Sequence, residues 1–504
     1  MKTCTEGWMM NNLCVLPVVI PMAAGVLLIF THARPALSRA IAISANILSL
    51  GVALALVETV RADGIQLLAF GNWPAPFGIV FTVDMLSALM VAVTMVVSTA
   101  TLLFASVSLD DLLEKNFFYP LFQFLLMGVN GAFLTGDLFN LFVWFEVLLV
   151  SSYGLMALGS QAYQLQETFK YLVVNALSSA LFLIGIALIY GATGTLNMAD
   201  LVFKFPALAE SGMAGVITVI FLVVFGIKAA LFPLYVWLPR AYYGPPTVIA
   251  GLFGGLLTKV GVYALFRTVT LFFAPASSFV LPLLSFVAGA TMLLGVLGAL
   301  SQWDFKRILS YHIVSQIGYM IMGLAIYTPL ALAGGIFYII HHILVKTSLF
   351  LVAGAVEKRY GTTNLRALGG AADGSPLLAT LFMLAGLALA GAPPLSGFVA
   401  KFMLLRSGLE AANYVIVAVS IVVSFLTLYS MMKIYRYVFW REEAETAIVV
   451  PGEPVRTFAI ASLVTLSLVM GLGGALLLPY VEIAAAQLLD PAAWGTVVLE
   501  ARVR

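Results

Sequence analysis

The chain has 504 residues, 62% of them hydrophobic and 10% charged, with 25 Lys and Arg against 23 Asp and Glu. A soluble domain carries about 25% charged residues, so a soluble globular enzyme is excluded. A formal net charge of +2 without a basic run also excludes a nucleic-acid-binding protein. The apolar residues come in runs of about 20, the length that crosses a bilayer, and this predicts an all-α polytopic membrane protein.

Cys4 and Cys14 stand near the start and form neither a disulfide framework nor a familiar metal spacing. Lys2 precedes a polar stretch, and no small-residue cleavage site follows the first apolar run, so no secretory signal peptide is expected. The nine residues before Met10 read as a start-site artefact or a disordered extension. Apolar length and breaker residues then predict about 14 spanning helices. They cover residues 13–30, 37–60, 79–107, 117–135, 137–158, 169–192, 213–238, 247–273, 278–300, 308–327, 330–355, 376–408, 413–439 and 456–480. Pro, Gly or charge marks the joints, as at Arg34-Pro35, Ala75-Pro76, Gly244-Pro245-Pro246 and Pro451-Gly452.

Cytoplasmic loops carry the excess of Lys and Arg. With the N-terminus outside, 14 of the 25 basic residues fall on the cytoplasmic side, among them Arg39, Arg240, Lys306, Arg307, Arg366, Lys433, Arg436, Arg441 and Arg456. Seven fall outside: Lys2, Arg61, Lys204, Arg267, Arg406, Arg502 and Arg504. The expected location is therefore the bacterial inner membrane, with multiple passes and both termini outside.

Two helices are expected to be broken. The seventh reads Phe225-Gly-Ile-Lys-Ala-Ala-Leu-Phe-Pro233 and the twelfth Ala390-Gly-Ala-Pro393-Pro394-Leu-Ser-Gly-Phe-Val-Ala-Lys401. Proline removes a donor and clashes with the preceding turn. Open backbone at membrane depth persists only within protein or beside a wet cavity. The breaks lie five helices apart, an odd number, so a repeat of that length is inverted, as in many transporters. The expected organisation is an extension (1–12), three N-terminal helices (13–116), a first five-helix repeat (117–273), a second inverted repeat (278–439) and a last helix with a tail (440–504).

Four lysines remain inside the membrane: Lys228, Lys259, Lys346 and Lys401. Each costs about 2.5–3.5 kcal/mol at mid-bilayer. Glu146 lies in the wholly apolar Phe142-Val-Trp-Phe-Glu146. His342 and Lys346 stand one helical turn apart and share a face, whereas the neighbouring His341 points about 100° away and reads as packing or as part of the same path. Asp84, near the outer end of its helix, either faces water or marks a way in or out. Asp137 reads as a structural turn residue. A lysine in a dry pocket gives up its proton more readily, and a nearby carboxylate reverses this. A line of Lys, His and Lys is thus a conditional proton wire. Sodium prefers several hard oxygen ligands, and Glu146, Asp84 and the open backbone are the few on offer. No metal or cofactor site is expected.

These residues resemble a known family. Glu in the fifth helix, Lys before Pro in the seventh, Lys in the eighth, His-x-x-x-Lys in the eleventh and Lys in the twelfth are similar to the antiporter-like subunits of respiratory complex I. They are similar too to the Mrp cation/proton antiporters, and among those to D-type subunits. The stretches Lys170-Tyr-Leu-Val-Val-Asn, Ala192-Thr-Gly-Thr-Leu-Asn, Leu257-Thr-Lys-Val-Gly-Val and Tyr311-His-Ile-Val-Ser-Gln carry that likeness, as does the start at Met10. His312 stands where many complex I relatives have serine, and Lys401 where some carry an acid. The resemblance implies a complex of several different membrane subunits that exchanges protons for Na⁺ or another cation. It implies that Glu146 pairs with Lys228 and that Lys259, His342 and Lys401 continue the path; His312, like Asp84, is a candidate for its entry or exit. A proton-pumping subunit of a redox enzyme is the alternative. A structural scaffold would have no use for lysines at two matched helix breaks.

Overall fold

The computed structural model describes residues 12–73, 77–442 and 453–500. The proposed extension 1–9 with Lys2 and Cys4, Met10, the joints Ala75-Pro76 and Pro451-Gly452, and the terminal Arg502 and Arg504 lie outside them. The helices follow in order as α1 (Leu16–Thr31), α2 (Pro35–Asp63), α3 (Met85–Ala105), α4 (Tyr119–Leu134), α5 (Leu138–Ala157), α6 (Ala162–Thr193), α7 (Met213–Ala241), α8 (Thr247–Ala276), α9 (Val280–Ser301), α10 (Phe305–Ile326) and α11 (Pro329–Tyr360). Then come α12 (Pro376–Ala390 and Ser396–Glu410), α13 (Tyr414–Trp440), α14 (Pro454–Leu472 and Gly474–Leu489) and α15 (Pro491–Glu500). Among the described residues, 12 helices are long and apolar enough to cross a membrane, while α1 and the first half of α12 are shorter apolar helices.

Local chemistry sets several ends. Asp84, Asp137, Asp304 and Thr328 cap α3, α5, α10 and α11 by accepting from the backbone N–H of Ser87, Asn140, Arg307 and Ala331. Gly194 and Gly361 end α6 and α11 at φ of +70° and +68°, a conformation that costs glycine little. Before α3, a short hairpin pairs strands β1 (Gln66–Ala69) and β2 (Val80–Val83) antiparallel, with Gln66 opposite Val83. The sequence pattern merges β2 into the third helix, since Val80-Phe-Thr-Val is as apolar as a helix turn.

α8 and α11 form the centre, and the most apolar 18-residue stretch of each is entirely buried. α3, α10, α12 and α14 surround α11. The C-terminal region differs from the expected tail. α14 runs antiparallel to α3: Arg456 reaches Val107 and Ser108 beyond one end of α3, and Gln487 accepts from Met85 N–H at the other. The chain then turns through 87°, and α15 lies across the Asp84 end of α3 against residues 198–204. Pro491 opens this last helix, where its missing N–H costs nothing.

One loop occurs twice. Asp137 bridges Asn197, Leu138 N–H bonds Leu196 C=O, and Met198 N–H bonds Gly136 C=O. The same three contacts recur 167 positions later, as Asp304 with Asn364, Phe305 with Thr363 and Leu365 with Trp303. The first copy meets β2 through Gly136 and Thr135, at the start of α3. The second follows directly on α11, whose Gly354 faces Phe104 and whose Lys358 bonds Asp110, at the far end of α3. α3 spans about 31 Å at 1.5 Å per residue, so the two loops lie on opposite faces of the bundle.

Candidate functional site

The buried charges are presented by helices that open where they are needed. α7 breaks at Ala230, which takes φ +59°, before Pro233. Phe232 N–H, released by the break, bonds Thr291 Oγ1 at 3.0 Å, and Trp237 Nε1 donates to Ile227 C=O at 3.1 Å. Lys228 sits in the last turn before this opening and is 5% exposed. Its Nζ lies 4.8 Å from the centre of the Phe145 ring and 3.4 Å from Ser179 Oγ, and Ser179 in turn donates to Glu146 Oε1. Glu146 and Lys228 are therefore brought together as expected, with a serine hydroxyl of α6 between them rather than a direct ion pair. Glu146 is half-buried, the least enclosed of the set.

α8 has an unexpected offset at Leu256, after Gly254-Gly255. Two adjacent glycines weaken the helix, and a Cβ on Gly255 would collide with Thr347 Oγ1. Lys259 Nζ donates to the Gly254 carbonyl at 2.5 Å and to Thr258 Oγ1 at 3.1 Å. Lys259 and Lys346 lie within electrostatic reach of each other, and His342 feels both. Lys346 Nζ has the Leu309 carbonyl at 3.3 Å, and neither ring nitrogen of His342 has a hydrogen-bond partner among the described residues.

The adjacent histidines serve different neighbours. His341 shares a 2.7 Å hydrogen bond with Ser396 Oγ, at the start of the second half of α12, and Ser396 shares another of 2.7 Å with Ser467 of α14. Its ring lies 5.4 Å from that of Tyr338, which stacks on Tyr319 at 5.3 Å. His341 thus makes a polar contact at the break in α12 as well as packing against Tyr338. The 100° between neighbours on one helix turns His342 toward Lys259 and His341 toward the break in α12.

That break runs from Gly391 (φ +91°) through Pro393 and Pro394 to Leu395. Lys401 folds back across it. Its Nζ donates to the Leu389 and Ala390 carbonyls at 3.3 and 2.9 Å and to Ser424 Oγ at 3.1 Å, and stands 4.4 Å from the Tyr319 ring centre. The cation so caps the negative end of the first half-helix. Lysine stands before the break in α7 and after it in α12, so the two openings are not superimposable in chemistry. His312 of α10 is fully buried, its Nε2 shares a 2.8 Å hydrogen bond with Ser430, and its Nδ1 has no partner among the described residues.

Asp84 belongs elsewhere. It is fully buried rather than facing water, and both its oxygens accept from the Arg267 guanidinium. Trp494 Nε1 of α15 donates to it at 3.1 Å, and Ser87 and Tyr263 also bond Arg267. Arg267, counted from sequence on the outer side at the end of the eighth helix, is 2% exposed. Asp137, read from sequence as a structural turn residue, is the N-cap of α5.

Comparison with known proteins places this arrangement. The model of the family described as NADH:quinone oxidoreductase/Mrp antiporter, TM, matches residues 135–427. The chain belongs to this family. It is 50% identical over 498 residues to the D-type subunit of the Na⁺/H⁺ antiporter of Alkalihalophilus pseudofirmus, with 97% of this chain and 100% of that one covered. It is 42% identical to the protein of the same name from Bacillus subtilis, with 97% and 100% covered. Among solved structures, a chain of the Mrp complex from Dietzia sp. superposes with a TM-score of 0.92 at 36% identity, covering 97% of this chain and 99% of that one. A chain of Thermus thermophilus respiratory complex I superposes at 0.82 and 26%, covering 94% and 99%.

Within this family member, sequence reasoning missed the uncharged groups beside the lysines: Ser179, Thr258, Ser396, Ser424 and Tyr319. Thr258 adjoins Lys259 in sequence, but the other four are marked only by packing against a lysine or histidine of another helix, which is invisible before the helices are packed. The doubled loop did leave a signal. Gly194-Thr-Leu-Asn197 and Gly361-Thr-Thr-Asn364 are the same four-residue pattern, 167 positions apart.

Proposed function

We propose that this chain is the proton-carrying subunit of a multisubunit monovalent cation/proton antiporter of the bacterial plasma membrane, with Na⁺ as the exchanged cation. One observation carries the reading. Four lysines, none with a direct carboxylate partner among the described residues, sit on α7, α8, α11 and α12, helices that pack one against the next in that order, with Glu146–Ser179 beside Lys228 and the histidine pair on α11. A bundle that needed only stability would replace such cations with leucine. Each of them has instead a carbonyl, hydroxyl or imidazole at hand that holds a proton or a water.

In this reading Lys228 holds its proton while Glu146 is near, because an opposite charge within about 4–6 Å favours the charged form. Loosening of the pair sends the proton toward Lys259. His342 and His341, turned to opposite sides of α11, hand it from the α8 lysine to the break in α12, and Lys401 is the far station. The doubled loop supports treating helices 4–8 (residues 117–273) and 9–13 (residues 278–439) as inverted copies within a bundle of 14 crossings, with both termini outside. The names of the 50% and 42% identical relatives favour an antiporter complex over a redox-driven pump as the setting. Other membrane subunits are the expected partners.

The test is cation-driven proton flux in vesicles carrying this chain with its operon partners. Glu146→Gln and Lys228→Ala should each abolish flux at matched expression, and the double variant should be no worse than either single one, because coupled residues fail to add. Substantial flux in Glu146→Gln would remove the switching role.

A further inference from the structure

The linear sequence has no basic run, yet folding gathers four cations at one corner. Arg436 and Arg441 flank the last turn of α13, Lys433 lies one turn earlier, and Arg366 comes from the loop after α11. Two adjoining cavities of about 760 and 420 Å³ open here and share Arg436, Tyr437 and Trp440. Among the described residues, no carboxylate lines either cavity.

The four cations are not equally committed. Lys433 Nζ is spent on the Leu300 and Gln302 carbonyls at 3.1 and 2.7 Å, where it caps α9 above the Trp303 ring. Arg366 also packs on the Trp303 ring, 4.5 Å from its centre. Arg441 gives one N–H to the Arg366 carbonyl. The exposed Arg436 guanidinium has no hydrogen-bond or carboxylate partner among the described residues. The backbone is shaped as well. Residues 436–440 form a π-helical turn closed by Arg441 N–H on the Arg436 carbonyl at 2.9 Å, a widening that recurs at functional sites.

Depth and surroundings identify the ligand. Trp440 is 75% exposed at the end of an apolar helix, the place where amphipathic rings mark the headgroup level. This is the face to which the Lys and Arg count assigns the cytoplasm. Basic pockets between helix ends on that side suit phosphate-bearing headgroups, and a guanidinium matches a phosphate with two parallel hydrogen bonds. Below the arginines, Leu300 and Met432 continue the wall into the bilayer and suit an acyl chain. We infer that this corner is a binding site for the phosphodiester headgroup of an anionic membrane phospholipid, held by Arg436 and Arg441 against Trp440 and Tyr437.

The test uses the full chain, purified with the subunits that accompany it, equilibrated with equal amounts of phosphatidylglycerol and phosphatidylcholine and read by native mass spectrometry. The wild-type protein should retain phosphatidylglycerol in preference by about tenfold or more, given the attraction of each basic side chain near the surface. Arg436→Gln with Arg441→Gln should bring the ratio close to one, and Arg436→Lys with Arg441→Lys should keep most of the preference. Both pairs are exposed and touch none of the buried lysines, so proton flux in phosphatidylcholine alone should be unchanged. Equal retention of the two lipids by the wild type, or an undiminished preference in the glutamine variant, would overturn the site. Displacement of the preference by millimolar inorganic phosphate would assign the arginines to a free anion instead. Loss of a subunit in the glutamine variant with lipid retention intact would make the corner a protein interface.

Discussion

Arg267 and Lys259 lie eight residues apart on α8, and both are buried, but their surroundings are opposite. Arg267 has both oxygens of Asp84, the hydroxyls of Ser87 and Tyr263, and the Trp494 ring 5.4 Å away. Lys259 has one carbonyl and one threonine hydroxyl. The first cluster is closed: each charge is matched and each donor occupied. The second is open, and so are its neighbours, with His342 unpartnered at both nitrogens among the described residues. Two kinds of buried charge therefore coexist on one helix. One is fixed by its counter-charge. The other has carbonyl and hydroxyl oxygens beside it and no carboxylate partner among the described residues.

The largest expected effect comes from breaking the closed cluster. Arg267→Ala leaves Asp84 as a buried carboxylate without its cation, a loss of about 3–5 kcal/mol. The thermal midpoint of the purified protein should fall sharply. Asp84→Asn combined with Arg267→Met should recover most of it, since removing both charges removes the mismatch. An unchanged midpoint in Arg267→Ala would erase the distinction between the two clusters.

Next comes the open set. Lys401→Ala should cut proton flux by about 10²-fold, the scale of losing one proton-transfer group. Its thermal midpoint should hold or rise, because a desolvation cost disappears with the charge. A protein that both loses flux and unfolds would place Lys401 with Arg267, among the structural charges.

These two predictions rest on different degrees of legibility in the sequence. Glu146, Lys228, Lys259, Lys346 and Lys401 announce themselves, because a charge in an apolar run is expensive wherever the run ends up. The broken helices are equally plain from Pro233, Pro393 and Pro394. Arg267 was not legible. It stands near a helix end, where a basic residue ordinarily meets water, and its partner lies 183 residues away. The offset at Leu256 and the hairpin at Val80–Val83 were hidden for a milder reason: apolar composition reads alike in a strand, a helix and a bent helix. α15 reads as tail because Pro491 and Asp490 look like a terminus.

A smaller effect sharpens the account of the open set. Ser179→Ala removes the hydroxyl between Glu146 and Lys228, and the expected cost is about 1 kcal/mol, roughly a fivefold fall in flux. Ser179→Thr should restore most of it. Equal flux in Ser179→Ala and wild type would mean that the carboxylate and the ammonium communicate without the bridge. The smallest expected change is in the closed cluster: Trp494→Phe keeps a ring over Arg267 and deletes one donor to Asp84. A loss of about 1 kcal/mol or less is expected in unfolding measurements, with flux unaltered.

The closed cluster also sets a schedule for the growing polypeptide. Asp84 is made 183 residues before Arg267 and 410 before Trp494. At about 5–20 residues per second, the carboxylate waits on the order of ten seconds or more for its cation. Until then a buried Asp84 would be a carboxylate without its cation, which is costly, so water or headgroups are needed to solvate it. The pair can close only after α8 has been made, and α15, the last helix among the described residues, supplies its Trp494 donor later still.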